Sequence, residues 1–84
     1  MSTYNGWKNR ATWNVALWLG NEEPLYRGMV EYARQEKRPT YRGLVEYLGL
    51  TGNTPDGVPW LDRSLDYRRL SEMVRENRYW DCGV

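Results

Sequence analysis

The 84-residue sequence has no histidine, no phenylalanine, one cysteine and no long apolar run. Each absence closes a class. Histidine is the commonest metal ligand and the commonest general base, so metal and acid–base chemistry lose their usual carrier. Cys82 alone can form neither an internal disulfide nor a cysteine metal cage. No stretch approaches the roughly 20 apolar residues that cross a bilayer. The opening MSTYNGWKNR has no apolar signal region, and the expectation is a cytoplasmic protein without membrane contact. Charge of one sign is lacking too: 12 Lys and Arg face 11 Asp and Glu, a net charge of +1. That is neither the basic excess of a dedicated nucleic-acid binder nor the acidic skew of a DNA mimic.

Catalytic and cofactor signatures are equally scarce. The chain holds no phosphate-binding loop and no dinucleotide fingerprint. Nucleophilic catalysis needs an activated Ser, Thr or Cys with a base in reach, and nothing in the sequence is organised around Cys82. Glu22 and Glu23 read as first-turn partners of a helix dipole. Asp56, Asp62 and Asp66 lack the dense alternation of a calcium loop and read as turn and capping residues. The expectation is a non-enzyme with no metal and no cofactor.

What the chain does have is five Trp, seven Tyr and ten Arg among its twelve cations. A chain this short buries only about 60–65% of the surface it exposes when unfolded, and large rings help, each burying on the order of 150–250 Å². Trp and Tyr carry polar tips that suit a core edge or an interface. Residues 1–84 therefore read as one small domain sealed by amphipathic rings.

Residues 1–8 read as an extended arm whose Tyr4 and Trp7 fold back on the core. ATWNVALWLG, apolar nearly all round, reads as a short buried helix capped by Thr12 and ended by Gly20-Asn21, with a buried strand as the competing reading. Asn21-Glu22-Glu23-Pro24 opens a second helix to about Glu36, which Pro39 stops. Thr40 caps a third, Tyr41 to Leu48, with Gly49 and Gly52 as terminators. Residues 51–63 form a turn-rich loop with a tight turn at Pro55-Asp56-Gly57, pinned by Val58 and Trp60. A last helix starts at Ser64 or Asp66 and runs to about Asn77. The fold class expected is all-α, a bundle of about four short helices with one turn-rich loop.

A heptapeptide recurs: YRGMVEY at 26–32, YRGLVEY at 41–47 and, more loosely, YRRLSEM at 67–73. On a helix, positions one, four, five and eight share a face, giving Tyr26, Met29, Val30, Ala33 and Tyr41, Leu44, Val45, Leu48. Positions two and six predict the ion pairs Arg27–Glu31, Arg42–Glu46 and Arg68–Glu72. Spacings of 15 and 26 residues exclude a solenoid, so, with a degenerate duplication as the alternative, the repeat reads as a helix recipe. Gly28 and Gly43 are not required by it. Glycine inside a helix costs about 0.8–1 kcal/mol against alanine, which predicts close approach of another helix or a ring at these positions, with a partner bound at the bare backbone as the alternative.

Half-wet aromatics and arginines are the types enriched at interface hot spots, and they nominate Tyr32, Tyr47, Trp60, Arg68, Tyr79 and Trp80 as contact residues. Arg63, Arg68, Arg69, Arg75 and Arg78 crowd the last third, which opens the alternative of single-stranded nucleic-acid binding through stacking and phosphate contact. Self-association as a homodimer is a third reading.

The stretch NGWKNRATWNVALWLGNEEPLY, residues 5–26, resembles a run found in small uncharacterised proteins of phages and other prokaryotic mobile elements. Its matching positions are Asn5, Gly6, Trp7, Asn9, Thr12 to Trp18, Asn21, Glu22 or Glu23, Leu25 and Tyr26, and TPDGVPW at 54–60 looks like a second family element. The resemblance covers about a third of the chain and brings no catalytic residues. It implies a short phage accessory protein in the host cytoplasm that binds and modulates a host or anti-phage defence protein. Within the run, Asn14 is the unexplained residue: if buried it needs partners, and a tie to the N-terminal arm is the expectation.

Overall fold

The computed structural model of the chain describes residues 6–77. Four helices follow one another: α1 Arg10–Asn21, α2 Glu23–Gln35, α3 Tyr41–Leu48 and α4 Tyr67–Glu76. The all-α expectation holds, and ATWNVALWLG is helix rather than strand. The expected contacts Tyr79 and Trp80, and Tyr4 of the arm, lie outside the described residues.

Helices α3 and α4 start where local capping chemistry places them. The Thr40 hydroxyl accepts from the Gly43 amide, and Gly49 closes α3 in the left-handed region at φ 66°, which glycine adopts without a side-chain penalty. Asp66 caps α4 by accepting from the Arg69 amide.

The start of α1 departs from expectation. Its cap is Asn9, not Thr12. The Asn9 side-chain oxygen accepts both the Thr12 amide at 2.9 Å and the Thr12 hydroxyl at 2.7 Å. The same Thr12 hydroxyl oxygen accepts the Asp66 amide, and Asn9 donates to the Ser64 carbonyl. Thr12 is therefore a fully buried joint between the starts of α1 and α4. Gly20 and Asn21 also lie inside α1, so Asn21 does not cap α2; Glu22 takes that place without a side-chain bond, and Pro24 sits in the first turn.

The core gathers Val15 and Leu19 of α1, Met29 and Ala33 of α2, Tyr41 and Leu44 of α3, and Leu70 and Val74 of α4. Helix α2 packs against all three others. The shared stripe of the three heptapeptides faces the core, buried except for the half-buried Tyr26, Leu48 and Tyr67, with Ser71 in the aliphatic place of the third copy. Trp7 packs onto the core as expected, and the Arg69 guanidinium lies 4.8 Å over its ring.

The two heptapeptide glycines explain each other. A methyl group on Gly28 of α2 would collide with the Leu48 side chain of α3, and one on Gly43 of α3 would collide with the Tyr32 phenol of α2. Each helix thus leaves a gap that a side chain from the other fills, so the pair packs reciprocally. Tyr32 and Tyr47 rings meet across it at 5.4 Å. The ion pairs follow the recipe only in the third copy. Arg68 approaches Glu72 at 3.9 Å. Arg27 instead reaches back to Glu23 at 2.7 Å, the stronger acid-first order on a helix. Glu31 accepts the Tyr47 hydroxyl at 2.7 Å, and Arg42 lies over the Tyr67 ring at 4.9 Å.

Candidate interaction surface

Two of the candidate contact residues are core residues in this fold. Tyr32 is 7% exposed and Trp60 5%. Tyr32 is consumed by the Gly43 gap, where its hydroxyl lies by the Thr40 amide. Trp60 anchors the 51–63 loop, and its carbonyl accepts the buried Tyr41 hydroxyl at 2.6 Å. Burial and the neighbouring Tyr67 push the Tyr41 phenol well above its usual range.

The loop is a small hairpin. Asn53 and Pro59 form an antiparallel bridge, Thr54 donates to the Val58 carbonyl, and the Gly57 amide closes the turn onto Thr54. Its tip binds α1, and the described partners of Asn14 lie in this loop. Buried Asn14 donates to Asp56 at 2.8 Å and accepts the Thr54 hydroxyl at 2.8 Å. The Trp18 indole N–H donates to the same Asp56 oxygen at 3.0 Å. These hydrogen bonds favour the ionised carboxylate and hold Asp56 below its ordinary range. Residues 12–18 and 54–60, which stood out separately in the sequence, are two halves of one clamp. Their wording is explained by folding.

A candidate contact surface lies along the outer side of α3; Leu17 of α1 is exposed as well, and a larger groove lies on α2. Tyr47 is 43% exposed and Leu61 51%. Three shallow grooves share residues there. Tyr32, Glu36, Gly43, Glu46 and Tyr47 line the first. Arg42, Gly43, Val45, Glu46 and Leu61 line the second. Thr40, Arg42, Tyr67, Arg68, Ser71 and Arg75 line the third, about 320 Å³ in volume. The surface therefore runs unbroken from Tyr47 through Arg42 to the arginines of α4. It includes two of the sequence candidates, Tyr47 and Arg68. Sequence reasoning missed Leu61 and Arg42. Leu61 carried no signal, because a lone loop leucine reads as buried. Arg42 was assigned to an ion pair with Glu46.

Tyr47 is held in place on that surface. It donates to Glu31 and accepts from Gln35 at 2.9 Å. The hydrogen bond to Glu31 raises its phenol pKa. Among the described residues, no group of three metal-ligating side chains gathers, and no helix is long and apolar enough to cross a membrane.

Over residues 1–80 the chain matches the model of a family of unknown function, DUF7249, and it belongs to that family. No curated protein and no solved structure matches it.

Proposed function

We propose that this chain is a non-catalytic protein-binding module, a phage-encoded accessory protein that binds and modulates a host or anti-phage defence protein by occlusion. The observation that carries the reading is the α3 surface, where exposed Tyr47 of the helix and exposed Leu61 of the loop flank grooves that include Arg42. Tyr and Arg are the types that dominate interface hot spots. Tyr47 is fixed before any partner arrives, which lowers the ordering cost of association. The resemblance of residues 5–26 to small phage proteins supports the biological setting.

The test is affinity capture from host lysate, with and without phage infection, using the wild-type chain and Leu61→Glu. Leu61 is half exposed, so the charge is tolerated in the fold and opposed at an interface. A stoichiometric protein lost with Leu61→Glu is the expected outcome. Capture of nuclease-sensitive material alone would favour the second reading, single-stranded nucleic-acid binding. That reading draws on Arg42, Arg68 and Arg75 lining one groove. It takes second place because, among the described residues, the rings beside these arginines are engaged: Tyr67 under Arg42, Trp7 under Arg69, and Trp60 in the core. An anisotropy titration with labelled oligodeoxythymidine at low and moderate salt separates the two.

A further inference from the structure

We infer that the groove between the start of α3 and the outer side of α4 is an oxyanion site for a phosphate monoester. Its lining is Thr40, Arg42, Tyr67, Arg68, Ser71 and Arg75. Three guanidinium groups line about 320 Å³ with no carboxylate in the lining, and Glu72 stands at the edge, 3.9 Å from Arg68.

Two of the three arginines are held in place by contacts that leave donors unspent. The Arg42 guanidinium carbon lies 4.9 Å from the centre of the Tyr67 ring, a contact that uses the ring's π face and consumes no hydrogen-bond acceptor. Arg75 donates through Nε to the Pro39 carbonyl at 3.2 Å, and its terminal amino groups have no other partner among the described residues. Arg68 is 91% exposed, and its contact with Glu72, at 3.9 Å, is longer than a hydrogen bond. The hydroxyls add to this. Thr40 accepts the Gly43 amide and Ser71 accepts the Tyr41 amide, which leaves each O–H to donate. The Tyr67 hydroxyl is spent on the Asp62 carbonyl, so that ring serves as the platform for Arg42.

Planar guanidinium forks match phosphate oxygens, and anchored forks lose little entropy on binding. Among the described residues, acids interrupt the charge on both sides. Glu46 lines the adjoining groove and Glu72 stands beside Arg68 and Arg69. A nucleic-acid strand, with one charge per phosphodiester, needs a basic path along its backbone. A phosphate monoester concentrates up to two charges on one group, which suits a single pocket. The monoester could be free or carried on a phosphorylated side chain of a partner; the second source rests on the protein-binding reading, the first does not.

The experiment is a nitrogen–proton NMR titration of the full chain at constant ionic strength. The probes are inorganic phosphate, an O-phosphoserine peptide with its unphosphorylated twin, and oligodeoxythymidine, with chloride as control. Saturable phosphate shifts confined to Thr40–Gly43 and Arg68–Arg75 are expected. Arg42→Gln and Arg75→Gln should each weaken them at least tenfold, while Arg27→Gln on α2 leaves them unchanged, all three variants keeping the wild-type spectrum elsewhere. A phosphopeptide that binds tighter than inorganic phosphate supports the site and identifies a phosphorylated partner. Equal affinity supports the site with free phosphate and counts against a phosphorylated partner there. Linear shifts that never saturate, or tighter binding of oligodeoxythymidine through the same residues, overturn the inference.

Discussion

Gly43 and Gly28 hold the same place in their heptapeptides but face neighbours of different stiffness. Tyr32 is a buried ring whose hydroxyl, Cζ and neighbouring Thr40 all crowd the Gly43 position. Leu48 meets Gly28 with the far end of a flexible, half-buried side chain. Alanine at either site gains about 0.8–1 kcal/mol of helix propensity. At Gly43 that gain is outweighed by overpacking of about 1–3 kcal/mol, so Gly43→Ala should melt lower than wild type. At Gly28 a Leu48 rotamer change relieves the clash, and Gly28→Ala should melt within a few degrees of wild type. Thermal melts of both variants decide this; a Gly43→Ala that melts clearly higher sinks the packing account. The glycines were visible in the sequence as a cost without a reason. Which side chain supplied the reason was not, because Gly28 and Leu48 are 20 positions apart. Asn14 was legible in the same partial way. Its need for partners could be read, but Thr54 and Asp56 lie 40 and 42 positions downstream. Asn14→Leu strands the buried Thr54 hydroxyl and should cost about 1–3 kcal/mol. Thr54→Val also removes the acceptor of the Val58 amide, so the Asn14–Thr54 bond is isolated as the coupling in a double-mutant cycle, where the two losses should sum to more than the double variant shows.

At the scale of elements, legibility followed locality. The start of α3 is set by a bond from Thr40 to an amide three residues on, and such signals sit within one window of sequence. The start of α1 is also capped locally, by Asn9, but Thr12 is an equally good cap residue by type. What separates them is the α4 entry. Thr12 is taken by the Asp66 amide 54 residues away, and Asn9 by the Ser64 carbonyl 55 away. The ion pairs went astray for a related reason. A helix rule sees only its own helix, while Glu31 was claimed by Tyr47 of α3 and Arg42 by Tyr67 of α4. Asn9 therefore has two separable roles. Asn9→Asp keeps the accepting oxygen and loses the bond to Ser64; Asn9→Ala loses both. The alanine variant should lose about 1 kcal/mol for the cap alone, a fall of roughly 4–8 °C in Tm for a domain of this size. Aspartate should fall between alanine and wild type. Equal melting of the two variants would place the whole effect on the Ser64 tie.

For the molecule as a whole, the fold class and the loop anchors could be read from pattern, whereas the surface could not. Of the six residues nominated by type, burial sorted the four described ones only once the helices were assembled: Tyr32 and Trp60 inward, Tyr47 and Arg68 outward. The same assembly makes the domain sensitive to acid at one seam. Asp56 joins the loop to α1, and Asp62 accepts the Ser64 amide and hydroxyl just before α4. Hydrogen bonds to the charged form depress both carboxyl groups below their unfolded values, Asp56 through Asn14 and Trp18, Asp62 through Ser64. A depressed carboxyl contributes stability that is present above the unfolded pKa, about 3.9 for aspartate, and is lost as pH falls through the folded pKa. The reason is that in that window the unfolded chain binds more protons than the folded one. Melting temperature should therefore decline as pH drops from about 4 toward 2. Other carboxylates contribute to the same decline, so the seam is isolated by difference. Asp56→Asn keeps an acceptor oxygen but no charge, and should melt below wild type at neutral pH. As acid protonates Asp56 in the wild type, the gap between the two proteins should narrow. A gap that stays constant from pH 7 to the acid limit of folding would show that the Asp56 charge does not hold the loop to α1.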